Sequence, residues 1–449
     1  MAGTVHVIGA GLAGLAAAIR LAEDGTAVVV HEAAPAAGGR CRSYRDSQLD
    51  LVIDNGNHLL LSGNWAARDF LARTGGAAAL PVPAESAFPF IDLADGARWT
   101  LRPNDGRVPF WILDPKRRVP RSRVLDYLTP MALLRADPMA RVGDVMRCDG
   151  LLYERLWRPL LLAGLNTEPT EAAAGLAARL VKETLAAGGR ACRPMVATHG
   201  LAATFVEPAL AHLRAAGATV RFGARLRRVA CFDGRAQALE FDGETVELGA
   251  EDAVVLSVPA AVAPTLVPEL QAPLAFRGIV NAHFRIAPPL DFPPIVGIVN
   301  GLSQWLFAFP DRLSVTISAA DAVIDRKRED IAEAIWREVA AIADLPAALP
   351  AWQIVKERRA TFAATPEEDA RRPPTTTAFA NLVLAGDWTR TGLPATIEGA
   401  VHSGYAAAAI VARRAARTQS RGGRARRPGL LRFARNDGGG DQAELTAGH

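Results

Sequence analysis

The chain is poor in cysteine, and its four cysteines are far apart in sequence: Cys41, Cys148, Cys192 and Cys231. Without CxxC spacing they predict neither a zinc site nor a redox pair, and a chain of 449 residues does not need disulfides to hold its core. The eight histidines are scattered as well, so we expect no metal centre. These absences indicate a reducing compartment such as the cytoplasm.

Long hydrophobic runs are also missing. No stretch approaches the roughly 18 uncharged apolar residues of a membrane-spanning helix. The first twenty residues lack the basic region that opens a signal peptide. Contact with a bilayer is therefore expected to be peripheral at most.

The net charge of +4 is not spread evenly over the chain. Residues 413–449 contain nine arginines and three acidic residues, so residues 1–412 carry a net charge of −2. This tail is rich in glycine and arginine without apolar periodicity, which predicts disorder. The tail either has no function or weakly favours anionic surfaces. Because the basic character belongs to the tail, we expect no nucleic-acid partner.

Half of the residues are apolar, so the chain can bury a substantial core as two domains or one interleaved fold. Its first 32 residues form a complete βαβ pattern of strand, GxGxxG turn, helix and second strand. In this pattern Gly9 makes the tight turn, Gly11 lets a pyrophosphate approach the backbone, and Gly14 lets helix and strand pack closely. Glu32 ends the second strand, where a carboxylate binds ribose hydroxyls and disfavours a 2′-phosphate. The pattern predicts a dinucleotide site and leaves FAD and NAD open.

A GGR segment follows Glu32, formed by Gly38, Gly39 and Arg40. GxGxxG, then a glutamate, then GGR resembles the FAD-containing amine oxidase and phytoene desaturase superfamily, in which the GGR loop lies along the flavin nucleotide. The distant segment NLVLAGDWTRTGLPATIEGAVHSG resembles the flavin-binding signature of the same superfamily. The resemblance implies that Asp387 contacts the ribitol or pyrophosphate. It also implies that a helix beginning near Ile397 points its N-terminus at the flavin. The implied cofactor is FAD, held without a covalent bond because RRPPTTTAFAN, the segment just before LAGDW, contains no cysteine.

This resemblance implies an α/β fold with a discontinuous, Rossmann-like FAD-binding domain of the GR2 (amine oxidase) type and an inserted α+β substrate domain. The FAD-binding domain is expected over residues 1–75, 195–260 and 381–412, and the substrate domain over 76–194 and 261–380. The match places the backbone of Leu226 beside the adenine. The whole predicted FAD site consists of Gly9, Gly11, Leu12, Ala13, Gly14, Glu32, Ala33, Gly38, Gly39, Arg40, Gly56, Asn57, His58, Leu226, Gly386, Asp387, Thr396, Ile397 and Ala400.

Residues 54–63, DNGNHLLLSG, set a polar cluster before a run of leucines. In the superfamily the corresponding stretch lines the flavin, so Gly56, Asn57 and His58 are expected to face the cofactor. The string is similar to that of the squalene-associated FAD-dependent desaturases, the hydroxysqualene dehydroxylases of bacterial hopanoid synthesis. The segment LWRPLLLAGLNTEPTEAAAGL matches the same family. Thr396 stands where amine oxidases carry an aromatic residue in front of the flavin, which disfavours amine oxidation.

The resemblance implies an FAD-dependent oxidoreductase that reductively removes the hydroxyl of hydroxysqualene, a C30 isoprenoid, to give squalene. The departing hydroxyl needs a general acid. His58 is the catalytic candidate, with Asn57 orienting the hydroxyl or the flavin, and the alternative is that His58 only forms part of the wall. Three other functions stay open: a carotenoid or phytoene-type desaturase, an amine oxidase, and a non-catalytic prenyl-binding protein.

The expected partners follow from the same reasoning. Only one GxGxxG occurs, so the reducing equivalents must come from an external electron donor. Between Trp99 and Leu134 aromatic and aliphatic residues alternate with Arg and Lys. This mixture suits a helix that dips into a bilayer interface, or an ordinary amphipathic helix that covers the core. We expect a cytoplasmic protein that sits peripherally at the inner face of the cytoplasmic membrane.

Overall fold

The computed structural model describes residues 3–425, and side chains up to residue 416. The predicted disordered tail lies largely outside this range. Its first thirteen residues, however, continue the long helix Ile397–Ala425. Alanine and arginine are strong helix formers, so the local sequence favours extension of the helix.

The first sheet has five parallel strands that come from distant parts of the chain. In spatial order they are Leu382–Leu384, Ala253–Leu256, Thr4–Ile8, Ala27–Glu32 and Thr219–Phe222. Thr4–Ile8 pairs with Ala27–Glu32 on one side and with Ala253–Leu256 on the other. The central strands are buried and rich in valine, as expected for a parallel sheet covered on both faces.

Two helices at opposite ends of the sequence pack against each other beside this sheet. Leu12–Glu23 is rich in alanine, and Ile397–Ala425 places Gly404 against it. A Cβ at Gly404 would lie 2.2 Å from the Ala13 carbonyl oxygen and 2.9 Å from the Ala16 Cβ. Only a glycine permits this approach, so the two chain ends meet at the glycine turn that precedes Leu12.

The second sheet has seven strands and is built from both predicted substrate segments. Its spatial order is Trp352–Phe362, Phe276–Phe284, Arg312–Ile317, Trp305–Phe309, Ile295–Val299, Phe88–Asp92 and Arg98–Leu101. Helix Arg328–Ala343 covers one face with Ile331, Ile335 and Val339, which recur at helical spacing and are fully buried. Its Trp336 packs on Phe284, with ring centroids 5.1 Å apart.

The remaining elements are short or peripheral. A three-stranded antiparallel sheet, Leu226–Phe232, Arg235–Phe241 and Glu244–Glu247, adjoins the first sheet, and two-stranded pairs join Ser43–Asp46 to Leu51–Asp54 and Leu59–Leu61 to Pro194–Val196. The other α-helices are Trp65–Thr74, Val142–Val145, Arg158–Leu165, Ala174–Glu183, Glu207–Ala215, Ala263–Leu266 and Pro366–Ala370. The 3₁₀ helices are Gly76–Ala79, Phe110–Leu113, Val124–Arg135, Leu185–Ala187, Gly189–Ala191 and Ala320–Ala322, and the π-helical turns are Tyr153–Trp157 and Ala202–Val206. Among the described residues no helix is both long and apolar enough to cross a membrane.

Candidate functional site

The glycine turn after the first strand shows why two of its positions accept only glycine. Gly9 has φ +103°, and a Cβ there would lie 2.8 Å from the Ser257 carbonyl oxygen. A Cβ at Gly14 would lie 2.0 Å from the Gly9 carbonyl oxygen. At Gly11, by contrast, a Cβ would meet no atom within 4 Å, so its backbone borders open space. This space lies at the N-terminus of helix Leu12–Glu23, where a phosphate is bound favourably.

Glu32 holds the turn in place. Its carboxylate accepts hydrogen bonds from the backbone N–H groups of Ala10, at 2.7 Å, and Ala34, at 2.8 Å. The remaining lone pairs are available to ribose hydroxyls. The Glu32 backbone carbonyl accepts the N–H of Ala224 at 2.9 Å, which brings the chain leading into Leu226 beside this carboxylate.

The GGR loop bridges the glycine turn and the carboxyl-terminal segment. The Gly38 N–H donates to the Ala10 carbonyl oxygen at 2.8 Å, and Gly39 faces Gly11. The Arg40 guanidinium forms an ion pair with Asp387 at 2.7 Å, across 347 positions of sequence. The Asp387 charge raises the pKa of Arg40 further above its ordinary value, so the pair stays ionised. Two of the predicted cofactor residues are thus held together directly.

The carboxyl-terminal segment presents a helix N-terminus with free donors. Gly386 has φ +149°, and its N–H donates to the Ser403 hydroxyl at 2.8 Å. The Thr396 hydroxyl caps helix Ile397–Ala425 by accepting the Gly399 N–H at 3.1 Å. Within the described part of the chain, the N–H groups of Ile397 and Glu398 have no hydrogen-bond acceptor. Such donors favour an electron-rich or anionic group.

The polar cluster at the start of DNGNHLLLSG joins the second sheet. The Asn57 side-chain amide donates to the Thr316 hydroxyl at 3.1 Å, and the Thr316 hydroxyl donates to Asn281 Oδ1 at 2.8 Å. The backbone N–H of Asn57 donates to the same Asn281 oxygen at 3.3 Å. Asn57 Oδ1 is buried and has no partner among the described residues. It is therefore an acceptor that a bound hydroxyl or N–H group would satisfy.

His58 lies beside this cluster and is half-buried. Its Nδ1 lies 2.9 Å from the Gly56 carbonyl oxygen. Burial lowers the pKa of His58 below its ordinary value, although the Gly56 carbonyl opposes this effect. At neutral pH the ring is thus mainly neutral, with Nδ1–H donating to Gly56 and Nε2 left to exchange a proton.

Two nearby acids serve as structural anchors. The buried Asp54 carboxylate accepts the Ser43 hydroxyl at 2.5 Å and the Leu201 N–H at 2.9 Å. Glu398 accepts the N–H groups of Ala66 and Ala67, both at 2.9 Å, at the start of helix Trp65–Thr74. Both carboxylates therefore tie helix ends to the site.

Three residues of the site had no clear signal in the sequence. The strands of Asn281 and Thr316 carry other polar residues as well, such as His283 and Ser314, so the sequence does not single these two out. Arg372 is fully buried, donates to the Thr389 backbone carbonyl at 3.0 Å through Nε, and pairs with Asp369 at 2.8 Å. It thereby holds the loop that follows Asp387. No group of three or more His, Cys, Asp or Glu side chains in residues 3–425 could hold a metal ion.

Comparisons with known proteins show the family of this chain. Residues 12–412 match the family described as flavin containing amine oxidoreductase. The chain is 55% identical to a hydroxysqualene dehydroxylase of Rhodopseudomonas palustris, over 92% of this chain and 99% of that protein. It is 51% identical to a hydroxysqualene dehydroxylase of Sinorhizobium fredii, over 90% and 97% respectively. Cyclohexylamine oxidase from Brevibacterium oxydans shares the fold with a TM-score of 0.66 at 17% identity, over 93% of this chain and 100% of that one.

Proposed function

Because the chain belongs to the flavin containing amine oxidoreductase family and, within it, to the hydroxysqualene dehydroxylases, we propose that it converts hydroxysqualene to squalene by reductive dehydroxylation. The observation that carries this proposal is the similarity to those enzymes over nearly the whole length of both chains. In this reaction the allylic C–O bond breaks, the hydroxyl leaves as water after gaining a proton, and hydride adds to the carbon.

The cofactor is FAD, and the described residues fit it. The open space at Gly11 suits the pyrophosphate, Glu32 suits the ribose, and the free N–H groups of Ile397 and Glu398 suit the electron-rich edge of the flavin ring. When bound and reduced, FAD supplies the hydride. The segment just before LAGDW, RRPPTTTAFAN, contains no cysteine, so we propose that FAD binds without a covalent bond.

We assign the substrate hydroxyl to the polar cluster at Asn57 and His58. The unpartnered Asn57 Oδ1 accepts a hydrogen bond from that hydroxyl, and the contacts with Thr316 and Asn281 orient the amide. His58 acts as the general acid. Because Gly56 occupies Nδ1, the proton gained and lost is the one on Nε2. The rate should therefore rise as the pH falls toward the lowered pKa of His58.

The remaining partners follow from the reaction. The electrons come from an external donor, since the sequence has a single GxGxxG turn. A C30 isoprenoid resides in the membrane, so we propose that the protein works peripherally at the inner face of the cytoplasmic membrane.

Anaerobic incubation of the purified protein with hydroxysqualene and reduced FAD tests the function. We expect squalene, detected by mass spectrometry. We expect no dehydrogenated product when phytoene is supplied with oxidised FAD and an electron acceptor. The reverse pattern would indicate a desaturase and would contradict the proposal.

Replacement of the proposed acid tests its role within the same assay. His58→Gln keeps a hydrogen-bonding side chain of similar size but cannot donate the proton as an imidazolium does. We expect an unchanged flavin absorbance, a rate lower by about 100-fold, and loss of the rise in rate at acidic pH. An unchanged rate would show that His58 is only a wall residue.

A further inference from the structure

The segment 108–139 carries a concentration of exposed apolar side chains. Eight of the seventeen exposed large apolar residues among the described residues lie in these 32 positions: Val108, Phe110, Leu113, Leu125, Leu128, Met131, Leu134 and Met139. Single exposed apolar residues are ordinary on a protein surface, but a contiguous set marks a contact site. Eight such residues in one segment are therefore a candidate contact surface.

The geometry of Val124–Arg135 explains how half of these residues come to share one face. The segment is a 3₁₀ helix, in which side chains three positions apart align. Leu125, Leu128, Met131 and Leu134 follow this spacing and are 76%, 48%, 60% and 59% exposed, so they form one continuous apolar face. We name these four residues the apolar face.

The opposite side of the same 3₁₀ helix is anchored in the core. Tyr127, Pro130 and Leu133 also follow the spacing of three, and all are buried. The Tyr127 ring packs edge-on against Trp111 at 5.2 Å, and its hydroxyl accepts the Val119 N–H at 3.0 Å. Because these buried residues fix the orientation of the helix, the apolar face points toward the solvent.

Arg123 and Arg135 lie at the two ends of the helix that carries the apolar face, within a segment rich in cations. Residues 102–135 contain eight basic and three acidic residues, a net charge of +5, although residues 1–412 as a whole carry −2. Five of these cations are exposed and form no ion pair among the described residues: Arg102, Arg107, Lys116, Arg123 and Arg135. An apolar stripe on a segment with free cations complements the apolar interior and anionic headgroups of a phospholipid bilayer.

A second copy of the chain fits this surface poorly. A two-fold interface would place the same patch against itself, and the +5 segment would then face another +5 segment. A bilayer offers the opposite charge instead.

We infer that the apolar face and its cations dock the protein on an anionic phospholipid bilayer. This inference rests on the proposed function for its purpose, because a membrane-resident isoprenoid must be collected from the lipid. The docking itself is independent of catalysis.

Vesicle flotation with the full-length holoprotein tests the docking. The variant Leu125→Ser, Leu128→Ser, Met131→Ser, Leu134→Ser removes the apolar face. We expect it to bind phosphatidylglycerol-containing vesicles about 100-fold more weakly than the unaltered protein. The arginine-rich tail is present in every variant, so it cannot account for a difference.

The matched control replaces similarly exposed apolar residues elsewhere, in the variant Phe232→Ser, Leu274→Ser, Leu290→Ser. We expect vesicle binding equal to that of the unaltered protein. Flavin absorbance and thermal unfolding confirm that each variant is folded. Equal binding by the apolar-face variant, or an equal loss in the control, would overturn the inference.

A second variant tests four of the cations: Arg107→Gln, Lys116→Gln, Arg123→Gln, Arg135→Gln. We expect about 100-fold weaker binding to phosphatidylglycerol vesicles at low salt and little change on pure phosphatidylcholine. Unchanged binding at low salt would overturn the role of these cations.

Two further readouts separate the remaining outcomes. One alternative is that a second copy of the chain covers the apolar face. In that case the unaltered protein is a dimer and the apolar-face variant is a monomer that binds vesicles normally, and the inference fails. Turnover of hydroxysqualene in detergent should be unchanged in the apolar-face variant, while turnover from vesicles falls. If no protein makes squalene in detergent, the proposed function fails, and the flotation result still decides the docking.

Discussion

Asn281 offers the sharpest test of how the site is positioned. It is 1% exposed, and its Oδ1 accepts hydrogen bonds from the Thr316 hydroxyl and the Asn57 N–H. Asn281→Leu keeps a similar volume but leaves both donors without an acceptor. A buried unsatisfied donor costs about 1 to 3 kcal/mol, so we expect the free energy of unfolding to fall by about 2 to 4 kcal/mol.

The same change should slow the reaction. Asn281 orients the Thr316 hydroxyl, and that hydroxyl in turn accepts the hydrogen bond that orients the Asn57 side chain. Without Asn281 the hydrogen bond between Asn57 and the substrate is misplaced, which raises the activation free energy. If about 1.4 to 2.8 kcal/mol of the loss appears in the transition state, kcat/KM for squalene formation falls by about 10- to 100-fold. We would measure anaerobic squalene formation by mass spectrometry, together with urea unfolding and flavin absorbance.

Two companion variants make the result interpretable. Asn281→Asp keeps the acceptor oxygen and should recover most of the rate. Ser314 and His283 face each other on the same two strands, two positions away from the pair Thr316 and Asn281. Ser314→Ala removes their hydrogen bond and should lower the free energy of unfolding by about 1 kcal/mol without slowing the reaction. An Asn281→Leu protein with an unchanged rate, or a Ser314→Ala protein with an equally reduced one, would refute this reasoning.

Three other predictions concern the cofactor, pH and the buried arginine. Gly14→Ala should lower the unfolding temperature even without FAD, because the new Cβ would meet the Gly9 carbonyl oxygen. Gly11→Ala should leave the stability of the apoprotein unchanged, because the new Cβ would meet no atom within 4 Å. It should weaken FAD binding, which a titration with FAD would measure. Burial lowers the pKa of His31 from 6.5, its ordinary value in an unfolded chain, to about 4 in the folded protein. Its contribution to the free energy of unfolding is therefore complete above about pH 6.5, where the ring is neutral in both states. The free energy of unfolding should fall by about 3 kcal/mol as the pH falls toward 4. In His31→Gln this fall should be smaller, as urea unfolding at a series of pH values would show. Arg372→Met leaves Asp369 unpaired and frees the loop at Thr389, so we expect a loss of about 3 kcal/mol and faster release of FAD in fluorescence measurements.

The exposure of the side chains between Trp99 and Leu134 could not be predicted from the sequence. The mixture of apolar and basic residues in this segment predicted either an interfacial helix or an ordinary covering helix. Trp99, Trp111, Tyr127 and Leu133 are buried, whereas Phe110 and the apolar face are exposed. The distinction depends on the 3₁₀ period, and Pro130, which lacks an N–H donor, lies within that helix. No count of residue types could have separated the two sides.

The amino-acid sequence alone determined the glycine turn, the strands that flank it and the helix that starts at Ile397. These features depend on φ angles, caps and hydrogen bonds within a few residues, so their signal is local. The domain boundaries drawn from the sequence stay a prediction. Only the tertiary structure decided that Asn57 meets Asn281 and Thr316, which are 224 and 259 positions away, and that Arg40 meets Asp387. Such contacts arise from how sheets stack and helices pack, and a single sequence holds no local trace of that arrangement.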